Sequence, residues 1–268
     1  MDSAIAEWNA SFLEDIKKLR FFDANCWCGM SKYPRRALVK TIGDLDVLME
    51  RTGVEKGNVS SFIAKFLKPM EGNAQLLEDV SGKSRYTPCI VATPWMFPTA
   101  AQVEAYVLEM VSRGARSVRL FPKTHHYIIN DWSNGFLLKL LEHHRIPLFV
   151  TTKDWDWHTL YELSHAHPVL PVVLEQSDTE AFFNLGYLMP FMERCPNVYL
   201  ETNRVHEYLA LDTLVRRFGG GRFVYGSSLP LDDPYAHLAM ITMGDFSQAN
   251  KEQIAHGNLE KLFAGVRN

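Results

Sequence analysis

Several short apolar runs of this 268-residue chain carry or precede side chains suited to acid–base or anion chemistry. Arg119 lies between Val118 and Leu120, and an arginine in such a run is costly to bury unless an anion pairs with it. Two readings are compatible: an internal ion pair with a carboxylate such as Glu201, or a bidentate clamp on a substrate carboxylate or phosphate. Glu201 itself ends another apolar run, so it is a candidate acid, base or ion-pair partner.

A loop with two histidines follows the run that contains Arg119. His125, His126 and Tyr127 belong to it. Imidazole titrates near neutral pH, which suits a general acid or base, and His125 is the first choice of the two. The alternative is an ordinary surface loop with a turn histidine and a packed tyrosine.

The elements that must position these residues alternate between short apolar strands and amphipathic helices. After a first strand within residues 22–29, strands are predicted at 59–64, 89–92, 117–121, 148–151, 172–174, 198–201 and 223–226. Helices are predicted at 42–52, 74–80, 100–112, 135–144, 157–165, 180–194, 206–218, 235–242 and 249–263. This alternation predicts a parallel sheet buried on both faces, and eight strands with crossovers predict closure into a (β/α)8 TIM barrel.

Three phrases of the sequence resemble the amidohydrolase-related family, which contains metal-dependent hydrolases, decarboxylases and lactonases. They are residues 114–122, Gly226-Ser227-Ser228-Leu229-Pro230, and 256–263 with the start His256-Gly257-Asn258. The resemblance runs from about Phe22 to Phe263 and implies the same barrel, with the active site at the carboxyl ends of the strands.

The resemblance also implies a metal site, but the expected ligands are missing. The family carries a His-x-His pair on the first strand, two later histidines and an aspartate after the last strand. The matching positions here are Asn25, Trp27, Thr151, Gln176 and Ser228. None is a good ligand for a transition metal. No metal or other cofactor is therefore expected.

These replaced positions are expected to bind substrate instead. Asn25, Thr151, Gln176 and Ser228 would form a neutral hydrogen-bonding ring, joined by Trp27, Tyr127 and Asn203. Glu175 is expected to face away from Gln176 because neighbours on a strand alternate in direction. The least favoured alternative is a relocated metal held by Glu201, His125 or His126, and perhaps Cys26.

The composition sets the broad class. A net charge of −3 gives no support for nucleic-acid binding, and no apolar run is long enough to span a membrane. Four cysteines fit a reduced, cytoplasmic protein, with Cys26 and Cys28 as buried thiols. The chain is expected to be one domain, 1–268, with an amphipathic helix at 1–20 before a barrel at 21–264. Assembly into a homo-oligomer is compatible with the sequence.

Two functions follow from this pattern. The first is a metal-independent hydrolase of an ester or lactone, acting on a small anionic or carboxylate substrate. Arg119 would bind the anion, His125 or His126 would move a proton, and Glu201 would assist. The alternative is a catalytically inactive barrel that binds a small ligand or acts as a scaffold.

Overall fold

A computed structural model describes residues 2–30, 39–176, 185–205 and 209–267, and it contains a parallel eight-stranded sheet in sequential order. The strands are β1 (Phe22–Cys28), β2 (Lys56–Ser61), β3 (Tyr86–Val91), β4 (Ser117–Arg119), β5 (Leu148–Thr151), β6 (Val172–Glu175), β7 (Val198–Glu201) and β8 (Phe223–Val224). Each strand pairs with the next one in the chain, as a barrel requires. The predicted (β/α)8 barrel is confirmed.

The barrel closes between β1 and the segment that follows β8. The Ala24 amide donates to the Tyr225 carbonyl at 2.9 Å, and the Trp27 amide donates to the Leu229 carbonyl at 2.8 Å. A bulge in β1 lies between these two bonds, at the register shift between Asp23 and Cys26. Because a bulge re-aims side chains, it brings Asn25 and Trp27 to the inner side.

Helices cover the outside of the barrel. They are α1 (Asp2–Leu19), α2 (Ile42–Thr52), α3 (Phe62–Phe66), α4 (Pro69–Asp79), α5 (Ala100–Ser112), α6 (Asp131–His143), α7 (Trp157–Ala166), α8 (Leu185–Arg194), α9 (Ala210–Phe218), α10 (Pro234–Thr242), α11 (Gln248–Glu252) and α12 (Asn258–Ala264). Capping boxes at Thr41 and Thr99 fix the starts of α2 and α5, whose bounds match the prediction. None of the described helices has the length and apolar character needed to cross a membrane.

Two apolar layers are separated by the strands. Side chains such as Ala24, Cys89, Phe149 and Val173 fill the barrel interior, where α12 also packs. A larger cluster lies between the strands and the surrounding helices, and it includes Cys26 and Cys28. All four cysteines are free and buried, as expected for inert thiols.

Several predicted elements have different bounds in the structure, including α6, which was predicted from residue 135 and begins at Asp131. The strand predicted at 59–64 ends at Ser61, because the Ser61 hydroxyl accepts the Ala64 amide at 3.3 Å and starts α3. The helix predicted at 74–80 begins earlier, at Pro69 in its first turn. The helix predicted at 249–263 contains a wider turn at Gln253–Gly257.

Some predicted positions lie outside the described residues. These are the start of the helix predicted at 180–194 and the start of the one predicted at 206–218. The amino-terminal helix packs on α10, where the Phe12 and Tyr235 ring centroids are 6.5 Å apart.

Candidate active site at the carboxyl ends of the strands

A cavity of about 160 Å³ lies at the carboxyl ends of the strands, where barrel active sites form. Its wall is made of aromatic, charged and neutral polar side chains. They are Asn25, Trp27, Phe62, Lys65, Phe66, Thr124, Thr151, Lys153, Asp154, Glu175, Gln176, Arg204, Ser228, Leu231 and Asp232. All five positions that stand where the family carries metal ligands are therefore in this wall.

Arg119 lies behind the cavity wall rather than in it. Its side chain is completely buried, and it forms an ion pair with Glu175. Its Nε donates to the Ser60 hydroxyl at 2.8 Å, and its Nη2 donates to Asn25 Oδ1 at 3.2 Å. Burial opposes the charged form, but the Glu175 carboxylate raises the pKa of Arg119 above its usual value.

The partner of Arg119 corrects two expectations. The internal ion pair is present, but with Glu175 and not with Glu201. Glu175 also faces inward, contrary to prediction, because it shares the inner side of β6 with Val173, which packs in the barrel interior. Gln176 comes directly after the strand ends, so its side chain reaches the same cavity without following the strand alternation.

A hydrogen-bonded network links β1, β7 and the segment after β8. Asn25 Nδ2 donates to the Ser228 hydroxyl at 2.9 Å, and Trp27 Nε1 donates to Asn25 Oδ1 at 2.7 Å. Asn203 Nδ2 also donates to the Ser228 hydroxyl. Asn203 does not line the cavity itself, but it holds Ser228, whose backbone has a φ of +57°.

Glu201 is buried behind Asn25. One of its oxygens accepts the Asn203 amide at 2.8 Å, and the other lies 3.5 Å from Asn25 Nδ2. Burial, with the charge of Glu175 adding to it, raises the pKa of Glu201 well above its usual value. Gly226 packs directly on this carboxylate, since a β carbon there would lie 2.0 Å from Glu201 Oε1.

The predicted histidines lie outside the cavity wall. His125 Nε2 is 2.8 Å from the Lys65 carbonyl, and its ring packs edge-on against Phe121. His126 is exposed, in a left-handed backbone conformation with a φ of +57°. Tyr127 is half-buried in the same loop. Neither histidine lines the cavity, and catalysis by either one stays a prediction.

Lys65 is one of the wall residues that the sequence analysis did not identify. The strand predicted at 59–64 would have ended just before it, whereas α3 places it at the mouth. Its ammonium lies 4.2 Å from the centroid of the Phe121 ring and 5.1 Å from that of Trp27. The signal that could have identified it is a lysine among the aromatics Phe62 and Phe66 directly after a strand.

The remaining cavity charges are paired or hydrogen-bonded. Asp154 accepts the Thr124 amide at 2.8 Å, and the Thr151 hydroxyl lies 3.4 Å from its other oxygen. Arg204 forms an ion pair with Asp232 at 2.9 Å. These contacts hold both carboxylates in the wall.

The residues at this site do not fit the metal that the family would carry. No group of three or more His, Cys, Asp or Glu side chains suited to a metal is found in the part of the chain that the structure describes. Asn25 Oδ1, the first ligand position, accepts hydrogen bonds from Trp27 and from the Arg119 guanidinium. A fixed cation therefore stands beside the position where a metal ligand would be.

Sequence and structural comparisons agree with this architecture. The amidohydrolase family model matches residues 70–265, and the chain belongs to that family. No curated protein sequence matches this chain.

Solved structures share the fold at low sequence identity. An uncharacterised TIM-barrel protein from Bordetella bronchiseptica is 16% identical with a TM-score of 0.67, over 97% of this chain and 92% of that one. The 5-carboxyvanillate decarboxylase from Sphingomonas paucimobilis is 12% identical with a TM-score of 0.72, over 92% and 99%. A putative 2-pyrone-4,6-dicarboxylic acid hydrolase from Pseudomonas putida is 15% identical with a TM-score of 0.67, over 92% and 98%. At these identities the likeness shows the fold alone.

Proposed function

We propose that this chain is a cytoplasmic, metal-independent hydrolase that cleaves an ester or lactone of a small carboxylate-bearing substrate. The observation that carries the proposal is the different surroundings of the two carboxylate oxygens of Glu175. Arg119 neutralises one of its oxygens, while Oε1 is buried and has no hydrogen-bond partner among the described residues. Glu175 lines the cavity, so its carboxylate is placed to act as a base toward bound substrate.

Glu175 would act as the general base. Its Oε1 accepts a proton from a water molecule as that water adds to the carbonyl carbon of the ester. The resulting carboxylic acid returns the proton to the departing alkoxide, so the base is regenerated and no net charge is left. Such proton transfer accelerates a reaction by roughly 10²–10⁴-fold.

The rest of the wall matches a small, planar and anionic substrate. Asn25, Thr151, Gln176 and Ser228 supply neutral polar atoms, and Trp27 supplies an aromatic face. A cavity of about 160 Å³ is close to the roughly 150 Å³ that accommodates benzene in an engineered protein, so one ring fits.

Positive charge at the same cavity supports a carboxylate on that substrate. Lys153 lines the wall, as does Arg204, which is ion-paired with Asp232, and cationic side chains bind carboxylates through charge-assisted hydrogen bonds. Two structural neighbours bear names of enzymes for small carboxylates, 5-carboxyvanillate and 2-pyrone-4,6-dicarboxylic acid. The direct clamp by Arg119 stays a prediction, because its guanidinium lies behind the wall.

A panel of aryl esters and lactones that carry a carboxylate tests the proposal. We expect turnover by the wild type and a loss of roughly 10²–10⁴-fold in kcat for Glu175→Gln. Glu175→Asp retains the charge facing Arg119 and moves the carboxylate by one methylene, so it should fold and still be impaired. Glu142→Gln is the matched control, because Glu142 pairs with His167 away from the cavity. Unchanged turnover in folded Glu175→Gln and Glu175→Asp would contradict the proposal.

A second candidate is a ligand-binding barrel without turnover. The observation that favours it is that no histidine of the described residues lines the cavity, and in particular neither His125 nor His126 does. The same panel separates the two functions. Stabilisation by a carboxylate with no hydrolysis of any ester or lactone would support binding alone.

A further inference from the structure

Lys65 lies in the cavity wall on the short helix α3. The Ser61 hydroxyl caps the start of α3, and His125 Nε2 lies 2.8 Å from the Lys65 carbonyl. The start of α3 and the loop that carries His125 therefore fix the backbone from which the Lys65 side chain extends.

The Lys65 amine is surrounded by aromatic rings. Its nitrogen lies 4.2, 5.1 and 5.3 Å from the ring centroids of Phe121, Trp27 and Phe66. Within the described residues, no carboxylate comes close enough to Lys65 to form an ion pair, whereas the nearby Arg204 is paired with Asp232. An amine in such surroundings is poorly hydrated.

Two opposing effects act on the charge of this amine. Aromatic faces attract an ammonium, and Asp154 and Glu175 also favour it. Burial disfavours the ammonium, and the cations Arg119 and Lys153 add to that effect. Burial is the largest influence, and the pKa of Lys65 falls to about 8. A lysine desolvated beside other cations is the kind of amine that enzymes use as a nucleophile.

We propose that Lys65 is a carbonyl-reactive amine that forms a Schiff base with a small 2-oxo acid bound in the cavity. The neutral nitrogen adds to the carbonyl carbon, and the carbonyl oxygen becomes a hydroxyl by taking up the proton that the nitrogen releases. Loss of that hydroxyl as water, with uptake of one proton from solvent, leaves a protonated imine. This reaction is distinct from ester hydrolysis and does not depend on it.

The class of carbonyl compound follows from the rest of the wall. A 2-oxo acid places a carboxylate next to the reactive carbonyl. Lys153 lines the same cavity and supplies positive charge for that carboxylate, beside Arg204 in its ion pair with Asp232. The volume of about 160 Å³ limits the compound to one with few carbon atoms or a single ring.

Reductive trapping with pyruvate as the probe tests this inference. Wild-type protein is treated with pyruvate and sodium borohydride, which reduces an imine to a stable secondary amine, and the modified lysine is identified by peptide mass mapping. We expect one adduct per chain on Lys65, with a yield that decreases as the pH is lowered below about 8. Lys65→Arg retains the positive charge and should abolish this adduct.

Lys139→Arg is the matched control, because Lys139 is a 65% exposed lysine on α6. It should leave the yield unchanged. Adducts distributed over exposed lysines, with Lys65 unmodified, would overturn the proposal, as would an unchanged yield in folded Lys65→Arg. Mapping of the wild type decides the matter even if that variant does not fold, and its outcome is independent of hydrolytic activity.

Discussion

Arg119 on β4 and Glu175 at the end of β6 form an ion pair inside the barrel, with side chains that are 0% and 3% exposed. The pair spans β5, which lies between the two strands. It connects a fixed cation to the one cavity carboxylate whose second oxygen has no partner among the described residues. Stability and the proposed chemistry therefore depend on the same contact.

Arg119→Met should strongly destabilise the fold, because it leaves the Glu175 carboxylate buried without its cation. We expect the free energy of unfolding to fall by roughly 3–5 kcal/mol in urea denaturation. The double variant Arg119→Met/Glu175→Met should regain much of this loss, since no unpaired charge remains. Arg113→Met is the control, because its pair with Glu109 is exposed and worth only about 0–1 kcal/mol. A loss below that of the control would contradict this account of the pair.

Glu201→Gln should stabilise the protein at neutral pH. The folded state raises the pKa of Glu201, so the folded chain binds more protons than the unfolded chain above the ordinary glutamate value of 4.5. The stability contributed by this group is complete below that pH and is lost as the pH rises through the folded-state pKa. Urea denaturation across this range should show a flatter pH dependence for the variant. Equal pH slopes for variant and wild type would show that Glu201 does not titrate abnormally.

Gly226→Ala should destabilise the barrel because the new methyl would overlap Glu201. The Glu201 side chain is completely buried and has no room to retreat, so we expect a loss of roughly 1–3 kcal/mol in thermal or urea denaturation. Gly221→Ala is the control, since no atom lies within 4 Å of its β carbon, and it should change stability by less than about 0.5 kcal/mol. Similar behaviour of the two variants would refute the close packing.

The sequence predicts the barrel well because the strand and helix patterns that indicate it extend over the whole chain. Most strands contain consecutive apolar residues, although β2 and β4 contain only one each, and helix starts such as Thr41 and Thr99 carry their own capping residues. The five positions without metal ligands also lie in the cavity wall, as the strand ends indicated. These features depend on local pattern and on the rule that barrel sites form at the carboxyl ends of the strands.

The details that were missed depend on single residues at the ends of strands. Glu175 was assigned to the wrong side because Gln176, which lies past the last strand residue, was treated as part of the alternation. Lys65 was missed because the Ser61 cap converts a predicted strand end into a helix. Position after a strand also does not reveal that His125 turns to the Lys65 carbonyl, so catalysis by a histidine stays a prediction.

The most direct test of the central claim is ester or lactone hydrolysis by protein of known metal content. Protein purified without chelators is analysed for zinc and manganese, and turnover is then measured before and after exhaustive chelation. We predict far less than one metal ion per chain, and the same kcat with chelator, without it and after metal addition. Stoichiometric metal, with activity lost on chelation and restored by that metal, would contradict the account.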